Sequence, residues 1–266
     1  MLHNGGCADA TADTPISAQG PPGSPIDPQL FCCALRGMNA IGGAISRDIK
    51  ATVVPYLDEV DPFAHRVGSV NTVLRRGDKL VGFNTDADGF RQAIVAGVAA
   101  SGAAQVAEPA AVVYGYGGVI NVVVHVLQEL GYSVALTGRR LDEAERRAAE
   151  LGATVYNPEK NSRGCGGPFH LLVNAAPVTD KPLKYAVGLL AALGRVDRGC
   201  GCVFDHEMPG AELQRYCVEH SLHHIDGKKM YYPQMYRQWE LFLGAGGVQV
   251  TKEDIPRLIA QAEQDP

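Results

Sequence analysis

The run Gly115-Tyr116-Gly117-Gly118-Val119-Ile120 has the composition of a loop that takes hold of a phosphate. A first glycine permits a tight turn out of a strand, and a second lets the backbone approach a pyrophosphate whose charge is met by N–H groups at a helix start. The third glycine of a full dinucleotide fingerprint is absent, because Ile120 stands in its place. Roughly 20 positions beyond the first glycine, an NAD enzyme places an acidic residue for the ribose 2′-hydroxyl. Here that region reads Gly138-Arg139-Arg140. A guanidinium grips a 2′-phosphate with paired hydrogen bonds, whereas a carboxylate repels it. Gly115, Gly117, Gly118, Arg139 and Arg140 are therefore the candidate cofactor-binding residues, with NADP favoured over NAD. The plainer alternatives are a glycine turn with no ligand and two arginines decorating a helix start beside Asp142 and Glu143.

Such a loop needs a strand before it and a helix after it. Ala111 to Tyr114 is a short apolar run of the kind found in buried parallel strands. Val119 to Leu130 follows as a helix that is apolar nearly all round, and Ser133 to Thr137 as a second strand. Strand, glycine turn, helix and strand in close succession form a βαβ unit. Further strand-like runs at His170 to Asn174 and Gly201 to Asp205 alternate with helix-like segments at Leu183 to Leu193 and Ala211 to His220. The alternation predicts a parallel sheet with helices on both faces. Two more helices are expected near Tyr231 to Leu243 and Lys252 to Ala262. At the other end, Leu30, Phe31, Ala34 and Leu35 give a short helical stripe that stops at Gly37. Residues 1–25, rich in Gly, Pro and Ser, read as an irregular arm.

Composition narrows the function classes. The 266 residues suffice for one large or two modest domains, and a formal net charge of -5 leaves no basic footprint for nucleic acid. No apolar run approaches the roughly 18 residues that cross a bilayer, and Met1 to Ala12 lack the marks of a signal peptide, so a cytoplasmic location is expected. The 7 cysteines contain no CxxC pair. Cys200-Gly201-Cys202 with His206 fits no common zinc spacing, and no metal is expected.

The segment before the glycine loop contains Asp58-Glu59-Val60-Asp61-Pro62, Val70-Asn71-Thr72-Val73 and Gly82-Phe83-Asn84-Thr85-Asp86. Near the C-terminus stand Ile225-Asp226-Gly227, Met230, Gln234 and Trp239-Glu240-Leu241, and between them the glycine loop, Thr137-Gly138-Arg139-Arg140 and Val173 to Val178. In content and order these resemble the shikimate dehydrogenase family over roughly residues 26 to 264, with most likeness to its divergent shikimate dehydrogenase-like subgroup. The resemblance implies an α/β fold: an NADP-binding Rossmann domain over 89–228, and a smaller α/β substrate domain from 1–88 with 229–266. It further implies NADP-dependent hydride transfer on a shikimate-like polyol carboxylate, by a monomer or homodimer. Lys50, at the end of Ala44 to Lys50, falls on the catalytic lysine and Asp86 on its partner aspartate. Ser46, Asn71 and Gln234 fall on substrate-binding positions, and Asn174 on a cofactor-binding one. An ammonium can stabilise and protonate a carbonyl oxygen that gains charge, a neighbouring carboxylate can orient it, and amides can fix ring hydroxyls.

Three places depart from the family pattern. Ala44 and Asp48 replace an asparagine and a proline in the lysine loop, and Met208 stands where many members have a tyrosine. The family's opening unit, a strand with a serine-bearing loop, a helix and a second strand, is not evident before residue 26. A catalytically weak NADP-binding or regulatory homologue is the alternative reading that these departures suggest.

Overall fold

The computed structural model describes residues 16–18, 26–46, 49–102, 106–160, 168–176, 187–199, 201–207, 211–247, 251, 254 and 257. The chain divides into two units, one of Met1–Thr85 with Met235–Pro266, the other of Asp86–Gln234.

The first unit opens with a parallel pair that the sequence reading did not anticipate. β1 (Ile16–Ala18) is followed by α1 (Pro28–Gly37) and β2 (Gly42–Ile45), and β1 runs parallel to β2 in the register Ile16↔Gly43 to Ala18↔Ile45. The expectation of an irregular arm over residues 1–25 is thus corrected at Ile16–Ala18. Three residues are too few to show a period, and the strand is fixed by hydrogen bonds to β2, a non-local partner. α1 begins where expected. The Asp27 carboxylate accepts from the N–H groups of Gln29 and Leu30 at 2.8 and 3.2 Å, and Pro28 occupies the first turn, where a missing N–H is harmless. Its inward face is rotated from the expected stripe: Phe31, Cys32 and Leu35 are buried, while Leu30 is exposed.

The Asp58 to Pro62 motif is structural here. Asp58 Oδ2 accepts from Leu80 N–H at 2.6 Å and from Arg36 at 2.8 Å. β3 (Glu59–Val60) leads to Asp61, whose carboxylate caps α2 (Pro62–Val67) through Phe63 and Ala64 N–H. β4 (Thr72–Arg76) and β5 (Lys79–Phe83) form an antiparallel hairpin, and the mixed sheet has the order β1-β2-β4-β5-β3. Phe31, Leu35, Ile45, Ile49, Val53, Val70, Val73 and Leu80 form its core.

The second unit begins with α3 (Asp86–Ser101), then β6 (Ala110–Tyr114), α4 (Ile120–Glu129), β7 (Ser133–Thr137), α5 (Leu141–Leu151) and β8 (Thr154–Val155). β9 (Leu171–Asn174), α6 (Val187–Leu193), β10 (Cys202–Asp205), α7 (Ala211–Glu219) and β11 (His223–Asp226) complete the sheet, and α8 (Lys228–Ala245) follows. All pairs in the order β11-β10-β9-β6-β7-β8 are parallel. This is the doubly wound arrangement of a Rossmann domain. The expected helix at Lys252 to Ala262 lies largely outside the described residues, as does the start of the one expected from Leu183. Gly89 of α3 lets the start of α8 pack closely. A Cβ there would lie 2.3 Å from the Met230 carbonyl oxygen and 2.8 Å from Gln234 Cβ.

Candidate functional site

The six-stranded sheet reverses its strand order between β6 and β9, and ligands of open α/β sheets bind beyond the carboxyl ends at such a point. The glycine turn leaves β6 there. Gly115 has φ +110°, its N–H donates to the Thr137 carbonyl at 2.9 Å, and an added Cβ would lie 3.0 Å from atoms of Ala175 and Ala176. Both backbone angle and space require glycine. Gly117 and Gly118 are exposed, and nothing lies within 4 Å of where their Cβ atoms would be. The helix they feed has no side-chain cap at Val119, and Ile120 N–H turns back to the Gly117 carbonyl at 3.1 Å. Ile120, in the place of a third glycine, is fully buried; it serves the core, so the motif is incomplete without the turn being lost.

Arg139 and Arg140 follow β7, the strand paired with β6 in the register Tyr114↔Thr137, and both are exposed. Among the described residues neither takes part in a salt bridge. Thr137 Oγ1, at the end of the same strand, is buried with no hydrogen-bond partner among the described residues. On the other side, β9 ends in Asn174, which is 0% exposed. Its amide donates to Asp205 Oδ1 at 2.9 Å and its oxygen accepts from Ala176 N–H at 3.3 Å. Asn174 therefore holds the backbone that packs against Gly115. Burial pushes the Asp205 carboxyl above its ordinary range, although Asn174 and the Glu207 N–H pull the other way. An open glycine cradle, an uncapped helix start and two exposed guanidinium groups form a donor set that suits a dinucleotide carrying a 2′-phosphate.

The other candidates lie mostly in the first unit, around Asn71. This side chain is 2% exposed. Its Oδ1 accepts from Thr85 N–H at 2.8 Å and from Thr72 Oγ1 at 2.9 Å, while Nδ2 donates to Thr85 Oγ1 at 3.0 Å. Its backbone joins two loops: Asn71 O accepts from Ile45 N–H at 2.8 Å, just before half-buried Ser46, and Val70 N–H donates to Lys50 O at 2.7 Å. Lys50 is half-buried and thereby anchored one residue from Asn71. Gln238, which the sequence reading missed, donates from Nε2 to Thr72 Oγ1 at 2.9 Å and to Asn71 O at 3.3 Å. It stands four residues after Gln234 on α8, so helical spacing from a recognised residue was the available signal. Gln234 and Asp86 belong to the second unit. Gln234 is half-buried against Gly89, and Asp86, buried, opens α3 directly after Thr85.

Among the described residues no three His, Cys, Asp or Glu side chains are grouped to hold a metal. Cys202 is buried, its thiol 3.0 Å from Ser101 Oγ; Cys200 lies outside the described residues. No described helix is long and apolar enough to cross a membrane.

No family model matches the chain. It is 28% identical over 257 residues to a shikimate dehydrogenase (NADP(+)) of Symbiobacterium thermophilum, covering 92% of this chain and 84% of that one. A protein of the same name from Bacillus cereus is 31% identical over 128 residues, 47% of this chain and 45% of its own. Among solved structures, the shikimate 5-dehydrogenase of Thermus thermophilus in complex with NADP(H) and shikimate matches with a TM-score of 0.65 and 28% identity. That match covers 82% of this chain and 77% of the other.

Proposed function

We propose, from its similarity to shikimate dehydrogenases along most of its length, that the chain is a member of that family and an NADP-dependent oxidoreductase. Its substrate would be 3-dehydroshikimate or a related cyclic polyol carboxylate, reduced reversibly at the 3-oxo group. The observation that carries this reading is the glycine turn of β6 beside the arginine pair of β7, on adjacent parallel strands. Gly115, Gly117, Gly118 and the start of α4 would hold the pyrophosphate, and Arg139 with Arg140 the 2′-phosphate. When bound, NADPH supplies the hydride. The Lys50 ammonium would stabilise the growing negative charge on the carbonyl oxygen and deliver the proton, with Asp86 orienting it. Ser46, Asn71 and Gln234 would fix the ring hydroxyls. For Asn71 that task falls to whatever capacity its bonds to Thr72 and Thr85 leave, and positioning Thr85 and the Lys50 loop is its first duty.

The test is NADPH absorbance with shikimate, quinate and 3-dehydroshikimate. Lys50→Ala should lower kcat by about 10³-fold, in the range of general acid catalysis, with NADP+ affinity unchanged by calorimetry. A wild-type chain that turns over none of these substrates, or a Lys50→Ala chain with full activity, would sink the proposal.

A further inference from the structure

A phosphate loop has no need of an aromatic residue between its first two glycines, yet Tyr116 stands there, and its surroundings are specific. The ring lies over Gly138: a Cβ at that glycine would come within 2.4 Å of Tyr116 Cε1 and 3.0 Å of Cδ1. The Tyr116 hydroxyl accepts from the Arg140 backbone N–H at 3.2 Å, and the Arg140 guanidinium carbon lies 5.6 Å from the ring centroid. Tyr116 thus meets Arg140 twice, once at the main chain and once at the charged head.

Arg140 itself breaks local rules. It occupies the N-cap of α5 with φ −118° and ψ 107° and makes no side-chain cap bond. Arginine is a poor cap, and a cation at a helix N-terminus opposes the helix dipole. The acidic first turn attracts it at a distance through Glu143 and Asp142, but the Glu143 carboxylate is bonded to Arg146 at 2.5 and 3.2 Å. A residue that violates propensity while its partner aligns it marks a functional constraint.

Resting on the NADP reading above, we propose that Tyr116 is a positioning residue that sets 2′-phosphate preference by pre-organising Arg140. The hydroxyl fixes the entry of the main chain into α5, and the ring face carries the guanidinium. An arginine already held loses less rotamer freedom when an anion arrives. Gly138 belongs to the same device, since no side chain there would leave room for the ring.

Calorimetric titration of NADP+ and NAD+ tests this on the full chain. Tyr116→Ala should weaken NADP+ about fivefold to tenfold while NAD+ changes by less than about twofold, the scale of one exposed cation–π contact plus one hydrogen bond. Tyr116→Phe keeps the ring over Gly138, guards against misfolding as the explanation, and should weaken NADP+ only about twofold. In an Arg140→Ala background, Tyr116→Ala should have no further effect, because the two act as one unit. Equal weakening of both dinucleotides, or additive losses in the double variant, overturns the role of Tyr116 alone. A wild-type chain that binds neither dinucleotide overturns the NADP reading itself, and this proposal with it.

Discussion

The carboxyl edge of the six-stranded sheet and the Asn71 network are assembled from different materials. At the sheet edge the candidate groups are the exposed main chain of Gly117 and Gly118, set up by the turn at Gly115, with the exposed guanidinium groups of Arg139 and Arg140 after the adjacent strand. Around Asn71 the working parts are side chains that bond one another: buried Asn71, Thr72 and Thr85, with half-buried Gln238. A main-chain cradle tolerates variation in its flanking residues so long as the glycine conformation survives, as Ile120 illustrates. A buried side-chain network has no such latitude, because each member satisfies another away from water.

Substitution separates the two designs. The largest effect is expected at Asn71→Ala, which takes the buried acceptor from Thr85 N–H and one bonding partner from each of the Thr72 and Thr85 hydroxyls, and should cost about 3 kcal/mol in denaturant unfolding. A cost below about 1 kcal/mol would show the network to be dispensable. Gly115→Ala comes next. A φ of +110° and contacts at 3.0 Å should cost about 2 kcal/mol of stability. Gly117→Ala meets open space, so stability should stay within about 0.5 kcal/mol while NADP+ affinity falls. If Gly117→Ala destabilises as much as Gly115→Ala, the cradle is a packing element instead. The smallest effect concerns Asp205, whose carboxyl is held above the ordinary aspartate value of 3.8 chiefly by burial. A raised native pKa means that the folded state binds this proton more tightly than the unfolded state does. The contribution is therefore fully present below 3.8 and is lost as pH rises through the raised value. Asp205→Asn should remove that slope, with a change of less than about 1 kcal/mol at neutral pH. Parallel melting curves for the two proteins from acid to neutral pH would refute it.

The same contrast explains what could be read before the coordinates. β7 spans the expected Ser133–Thr137, and β6, β9 and β10 agree within one residue at their starts. Parallel strands covered on both faces are short, uninterrupted apolar runs bounded by turn residues, so each is visible in isolation. The first unit hides its strands. β2 is Gly-Gly-Ala-Ile, with almost no β-branched content, and β1 exists only through its pairing with β2. β4 and β5 overlap the recognised motifs only at Thr72-Val73 and Gly82-Phe83 and were not read as strands. For the candidate site, Gly115 announced itself because main-chain geometry is recorded in residue type. Gln238 meets Thr72 across 166 positions, and Tyr116 meets Arg140 across 24. Helical spacing from Gln234 could point to Gln238 as a residue, but no local pattern names the distant partner in either pair.

One consequence follows from the three residues Ile16–Ala18. β2 has β4 on one side and β1 on the other. Without β1, the outer main-chain N–H and C=O groups of Gly43 to Ile45 would face water as a vacant ribbon able to recruit a strand from another molecule. With β1 in place the edge of the sheet is a strand of only three residues, too short to offer a long template. A shortened version that starts at Ile26 should expose the edge of β2, and light scattering that shows no gain in self-association would count against this reading.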